Sequence, residues 1–295
     1  MENSTDKKGS SLKIRVISGV VIGVLLTFML VTGAAVTALF LFVTSIIAYR
    51  ELANVTGFSG GKREDGRFSV SLPEGVGYLG IVLHYALLIV SGGNLTWFAF
   101  SAMAVFCSAA FVYVVSYPKY SASQFIFAIF SFLYAPVMLS FVYLLRILPG
   151  GNYLGWVPFV AWICDTSAYF AGRAFGRHKL SPILSPHKTV EGAVGGVLGS
   201  MVAGIIFAVI YAHKLPQLEL PYIIGACIVI TAVGGTLSQV GDLTASGIKR
   251  QFDVKDYGTI IPGHGGILDR FDSVIFISPF MYFLAALLLH GGIVR

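Results

Sequence analysis

Charge is what this sequence has least of: Asp, Glu, Lys and Arg make up 12% of its 295 residues, against roughly 25% in ordinary soluble chains. So few charges cannot clothe a surface that faces water. With 56% hydrophobic residues and a mean hydropathy of +0.81, much of that surface must face lipid instead. Cysteine is scarce as well. Cys107, Cys164 and Cys227 lie inside apolar stretches without paired spacing, which excludes a disulfide scaffold and leaves them as small buried hydrophobes. Low-complexity tracts, collagen periodicity and detectable internal repeats are also missing, and the apolar content excludes intrinsic disorder.

What is present is a series of long uncharged runs. Arg15 and Arg50 are separated by 34 uncharged residues, which as one helix would measure about 51 Å against a hydrocarbon core of roughly 30 Å. Two spans turning near Thr32-Gly33 fit better. The 44 uncharged residues from Gly75 to Pro118, interrupted by Ser91-Gly92-Gly93-Asn94, make a second hairpin. Five further runs follow: Tyr120 to Leu145, Ile147 to Cys164, Gly192 to His213, Leu220 to Gly241 and Ser273 to Val294. The expectation is an all-α polytopic membrane protein of about nine transmembrane helices. Residues 1–12 read as a flexible cytoplasmic tail and 13–295 as a single integral membrane domain, with five spans over 13–150 and the functional half over 151–295.

An odd number of spans puts the termini on opposite sides, and basic residues decide which. With the N-terminus inside, seventeen Lys and Arg fall on the inner side and only Arg146, Lys214 and Arg295 outside. This distribution accounts for the net charge of +6 without nucleic acid as a partner. The first apolar run continues well past any cleavage-like site, which argues against a signal peptide.

Acids cluster in the second half. Asp165 stands late in the sixth apolar run, Glu191 opens the seventh, Asp242 ends the eighth, and Asp269 and Asp272 begin the ninth. An acid in or beside the hydrocarbon needs a partner or a task. If the eighth helix continues past Gly241, Asp242, Ser246 and Lys249 share one face, as do Asp269 and Asp272 on the last helix. Two carboxylate-bearing helix ends meeting at the inner interface suit a magnesium ion bound to phosphates, because magnesium takes few carboxylates and fills its shell with water and substrate oxygen. Lys188, Lys249, Arg250, Lys255 and Arg270 surround them, a density of cations that suits a polyanionic ligand. Gly192, Gly196, Ser200 and Gly204, with Gly195, Gly199 and Ala203 beside them, read as close helix packing. Pro262-Gly263-His264-Gly265-Gly266 reads as a break placed to bring backbone donors to a phosphate, with His264 as a further donor.

From Ser246 to Asp272 the chain reads SGIKRQFDVKDYGTIIPGHGGILDRFD. This segment resembles the signature of the phosphatidate cytidylyltransferases, or CDP-diacylglycerol synthases, at Ser246, Lys249, Arg250, Lys255, Asp256, Gly258, Pro262, His264, Gly265, Gly266, Asp269, Arg270 and Asp272. Asp165-Thr166 with Tyr169 and Gly172-Arg173, and Ser185-Pro186 with Lys188-Thr189 and Glu191-Gly192, are similar to two further family segments. His187 departs from the family's frequent lysine. The resemblance implies an enzyme of the inner cell membrane, with its active site on the cytoplasmic face, that condenses CTP with phosphatidic acid to give CDP-diacylglycerol and pyrophosphate. It implies Asp242 and Asp269 as magnesium ligands, with Asp165, Asp272 and Glu191 as further ligands or holders of a second cation such as K+. Lys249 and His264 join the two aspartates as catalytic residues, while Ser185, Lys188, Ser246, Arg250, Lys255 and Arg270 bind substrate phosphates. The family's members are homodimers. Asparagine at either Asp242 or Asp269 is expected to remove activity and leave the fold intact. The alternatives are a CTP-dependent lipid kinase and, from a different class, an ion-coupled transporter. A CDP-alcohol phosphotransferase would need an Asp-Gly-x-x-Ala-Arg run, which this sequence lacks.

Overall fold

The structure, a computed structural model, describes residues 3–61, 69–263 and 265–291, with side chains from residue 17 onward. The chain is built from α1 (Asn3–Thr32), α2 (Ala34–Thr56), α3 (Leu72–Val90), α4 (Leu95–Val115), α5 (Ala122–Phe132), α6 (Phe141–Ile147), the single turn α7 (Gly151–Leu154), α8 (Val160–Phe175), strands β1 (Lys179–Ser181) and β2 (Ser185–Thr189), then α9 (Val190–Tyr211), α10 (Leu220–Gln251) and α11 (Leu268–Leu289). Among the described residues the expected all-α character therefore holds but for one two-stranded antiparallel hairpin, β1–β2. Helix α1 is continuous from Asn3, through most of the segment read as a tail.

Local chemistry sets the helix ends. Gly33 takes φ +140 between α1 and α2, a backbone state that glycine adopts readily, so the turn falls where the long apolar run required one. Ser71 and Glu74 form a reciprocal capping box at the start of α3, and Ser121 with Gln124 repeats it at α5. Helix α5 passes through a π-helical segment, Leu133–Val137, that contains Pro136, whose missing N–H makes a wider turn cheap there, and resumes as α6.

Seven helical segments are long and apolar enough to cross a bilayer among the described residues: α2, α3, α4, the α5–α6 composite, α9, α10 and α11. The apolar part of α1, Ile17–Thr32, and α8 are shorter. The sixth expected span is corrected. Residues 147–164 do not form one helix; the chain turns through α7 and a 3-10 segment at Val157–Phe159, and α8 starts only at Val160. Asp165 therefore stands in the second turn of its helix, not near its end. The connection from Leu52 to Glu74 is also less solvated than expected, since α2 runs on to Thr56 and Glu74 is buried.

The core joins the two halves. Buried residues of α2, α3, α5, α6 and α11, among them Leu52, Leu88, Phe132, Leu144, Val274 and Met281, form one cluster. Helices α8, α9 and α10 pack through small residues. A Cβ at Gly196 would meet Cys164 and Ala168 of α8, and one at Gly204 would meet Thr231 of α10, so the glycine stripe is a packing face as its spacing indicated. Val194, Leu198, Val202, Ile206 and Val209 stand exposed on α9, an apolar surface suited to lipid.

Candidate active site

The acids come together from three helices. Asp165 on α8, Asp242 on α10 and Asp272 on α11 interact electrostatically with one another, because the α8–α9–α10–α11 packing brings these three positions to one level. Helix α10 does continue past Gly241, to Gln251, so Asp242, Ser246 and Lys249 share a face as expected. A Cβ on Gly241 would lie 2.7 Å from Cβ of Phe276, which shows how closely α10 and α11 approach at this level. The Ser246 hydroxyl points toward Asp242 Oδ1 at 3.5 Å, the outer limit of a hydrogen bond.

Cations interleave with the acids. Lys188, at the end of β2, forms an ion pair with Asp242, and Thr189 beside it caps α9 by accepting from Gly192 N–H. Lys249 donates to Asp269 Oδ1 at 2.8 Å. Arg270 and Lys188 act electrostatically on Asp165. Four carboxylates (Asp165, Asp242, Asp269, Asp272) thus alternate with Lys188, Lys249 and Arg270. Arg250 in the last turn of α10 and Lys255 in the loop that follows lie exposed, and Ser185 is half-buried on β2, paired with Ser181. His264 lies outside the described residues.

Asp269 occupies an unexpected place. Its Oδ2 accepts from Tyr257 N at 2.8 Å and Gly266 N at 3.0 Å while Oδ1 holds Lys249, so both oxygens are engaged by donors of the chain. The side chain, 2% exposed, ties the loop between α10 and α11 to the first turn of α11. Glu191 is engaged elsewhere too, accepting from the N–H groups of Arg177 and His178 and from the His178 ring, which fixes the turn before β1.

Sequence reasoning passed over the residues that support this loop. Glu51 of α2 accepts from Ile267 N and Leu268 N, Trp162 Nε1–H of α8 donates to the Arg270 carbonyl at 3.1 Å, and the Tyr257 hydroxyl donates to Ala245 O at 2.9 Å. Burial, with Asp272 and Asp269 nearby, raises the Tyr257 phenol well above its ordinary value, so it remains a donor at any physiological pH. Of these, Glu51 had a signal: an acid next to Arg50 at the close of an apolar run.

Two cavities share Asp165. One, about 460 Å3, is lined by Asp165, Arg173, His187, Lys188, Gln239 and Asp242, and the other, about 280 Å3, by Trp162, Asp165, Asp269, Arg270 and Asp272.

Does this donor set suit a hard cation? Asp165 opens onto both cavities and meets no hydrogen-bond donor among the described residues, and Asp272 accepts from its neighbour's Ser273 N. The hydroxyls of Tyr134 and Ser273 are buried without a partner among the described residues, Tyr134 within electrostatic range of Asp272 and Asp242. No three acid, His or Cys side chains among the described residues converge tightly enough to hold a metal alone. The residues therefore fit magnesium, which takes one or two carboxylates and completes its shell with water and phosphate oxygen, and they do not form a closed protein cage.

A polytopic helical protein with acids and cations interleaved at the ends of its helices is a membrane enzyme built to hold an anionic, phosphate-bearing substrate. The chain belongs to the cytidylyltransferase family, whose model matches residues 13–288. It is 33% identical over 285 residues to the phosphatidate cytidylyltransferase of Bacillus subtilis, covering 94% of this chain and 98% of that protein. The phosphatidate cytidylyltransferase of Staphylococcus saprophyticus is 32% identical over 277 residues, and that of Staphylococcus aureus 31% over 278, each across 92% of this chain and 98% of the relative.

Proposed function

We propose that this chain is a CTP:phosphatidate cytidylyltransferase, a multi-pass membrane enzyme that forms CDP-diacylglycerol and pyrophosphate. The observation that carries this reading is the union, on neighbouring helices, of the signature residues Asp269, Arg270 and Asp272 with Lys188, Asp242 and Asp165 around two adjoining cavities. A phosphate oxygen of phosphatidate is itself the nucleophile toward the α-phosphorus of CTP, so the protein needs no catalytic Ser or Cys. Its task is to align two anions that repel each other and to receive the charge of the departing pyrophosphate.

Lys188 and Arg173 face the larger cavity and suit the CTP phosphates; Arg270 faces the smaller one and suits the phosphatidate headgroup. Asp165, between them, marks where the reacting groups meet. Asp242 with one of Asp165 and Asp272 would hold magnesium, which when bound would neutralise phosphate charge and polarise the phosphorus under attack. Asp269 would reach a cation only by releasing one of its present donors; a second cation such as K+ would fall to the same acids. Lys249 holds Asp269 in place, Ser246, Arg250 and Lys255 complete the basic and polar surround, and His264 is assigned a catalytic role by the signature alone.

The reading further includes α1 and α8 as spans beside the seven longer segments, which gives nine crossings, an inner N-terminus and a site on the cytoplasmic face. It includes a homodimer as the assembled form. Purified protein given CTP labelled in the cytidine, phosphatidate and magnesium should move the label into the lipid phase, with one pyrophosphate released per lipid and no labelled protein. A product of phosphorylated lipid plus CDP would mean a lipid kinase instead. In sealed inside-out vesicles added CTP should be used directly, and in right-side-out vesicles only after permeabilisation; equal use in both would overturn the orientation.

A further inference from the structure

We infer that Glu51 is a positioning residue for the transfer reaction, its carboxylate on α2 setting the entry of α11 and through it the aim of Asp269, Arg270 and Asp272. The inference rests on the functional reading above and adds to it a residue from the half of the chain that carries none of the signature. Glu51 is 4% exposed, a depth at which an acid needs full satisfaction. Its partners are backbone groups of the site itself: Ile267 N donates to Oε1 at 3.0 Å and Leu268 N to Oε2 at 2.7 Å, from 217 residues away in sequence for the second. These are N–H groups of the opening of α11, which its own helix leaves without acceptors and where a negative charge is favoured by the helix dipole. Asp269 follows one residue later.

The surroundings are shaped to this carboxylate. A Cβ at Gly258 would stand 2.3 Å from Glu51 Oε1, and one at Gly266 would stand 2.4 Å from the same atom. Glycine at both positions is what lets the loop close over the acid. The loop is thus gripped from two sides by carboxylates, by Asp269 from within and by Glu51 from α2, and Glu51 ties it to the N-terminal helices.

Glu74 supplies the comparison. It is equally buried in the same half, and accepts from Gly60 N and the Tyr78 hydroxyl, each at 2.9 Å, without touching the site. A merely structural role for Glu51 would make the two acids equivalent. Full-length protein in lipid nanodiscs, as wild type, Glu51→Gln, Glu51→Asp and Glu74→Gln, should be compared by kcat, by KM for CTP and by amide hydrogen exchange over residues 265–272. Glutamine can accept with only one atom, so Glu51→Gln should lower kcat by about 10- to 100-fold and speed exchange over 265–272. KM for CTP should change by less than about threefold, because the cavity of Lys188 and Arg173 is built on other elements. Glu51→Asp should recover part of the rate, and Glu74→Gln should keep wild-type kcat per folded molecule. Wild-type kcat in Glu51→Gln, or an equal loss in Glu74→Gln, overturns the inference. Should Glu51→Gln not fold, Gly258→Ala displaces the carboxylate with its charge retained and must show the same kcat loss; wild-type kcat there overturns it as well. If the wild type forms no cytidylyl lipid, the functional reading fails separately, and unchanged exchange at 265–272 in Glu51→Gln still overturns the role of Glu51.

Discussion

Replacing Asp242 by asparagine is expected to lower turnover by about 10²- to 10³-fold, on the scale of losing one electrostatic group at a reacting centre, while the protein stays folded. The reason for the second half lies in exposure. Asp242 and its partner Lys188 retain 28% and 26% side-chain exposure, and although Lys188 Nζ itself is buried against Asp242, the amide of asparagine still offers it a carbonyl oxygen. The pair is also less buried than Asp269 with Lys249, at 2% and 14%, so losing its charge costs less than the ~3–5 kcal/mol of a fully buried pair, and the isosteric amide keeps the shape of the site. Magnesium dependence separates a ligand from a structural acid. Asp242→Glu, if active, should need more magnesium for half-maximal rate, and an unchanged requirement would count against ligation. Asp253→Asn is the control. Asp253 is exposed, lies outside the signature positions and takes φ +53, a left-handed conformation that asparagine tolerates at least as well, so both activity and stability should be unchanged.

Asn at Asp269 should behave differently, abolishing activity together with a large part of the folded population. Asp269 and Lys249 are 2% and 14% exposed, and the carboxylate also accepts from Tyr257 N and Gly266 N. The amide can satisfy at most some of these donors and turns its own N–H2 toward another. Breaking one partner of such a buried pair costs about 3–5 kcal/mol, a large share of the whole stability of a folded domain. Thermal unfolding of the detergent-extracted variant, followed beside turnover, is the measurement. A fall in midpoint that matches the loss of rate supports the anchoring role, whereas an inactive variant of normal stability would return Asp269 to the part of a plain metal ligand. The double variant Asp269→Asn/Lys249→Met removes the stranded cation and should regain stability without regaining rate.

The contrast between these two aspartates marks the limit of what spacing can tell. Both sit at fixed signature positions, so the sequence assigned them one role and expected one outcome. Only the tertiary structure supplies the donors, two backbone N–H groups and a lysine, that make Asp269 an anchor. The sixth apolar run makes the same point for the fold. Its length promised a span, but Gly150, Gly151 and Pro158 divide it, and α8 begins thirteen residues later than the run does, at Val160 rather than Ile147.

By itself the sequence determined that the chain is a helical membrane protein, because a 12% charge content leaves no other surface. It also placed the turn at Gly33, the glycine packing face of α9 and the acid-rich ends of the last helices, since each depends on periodicity or composition within a single element. Tertiary structure alone decided which of those acids face one another and which face the backbone, and it brought Glu51 to the opening of α11. The physical reason is common to both decisions. Hydrogen bonds from loop N–H groups depend on where the chain returns, and a return across 217 residues leaves no period in the sequence to read.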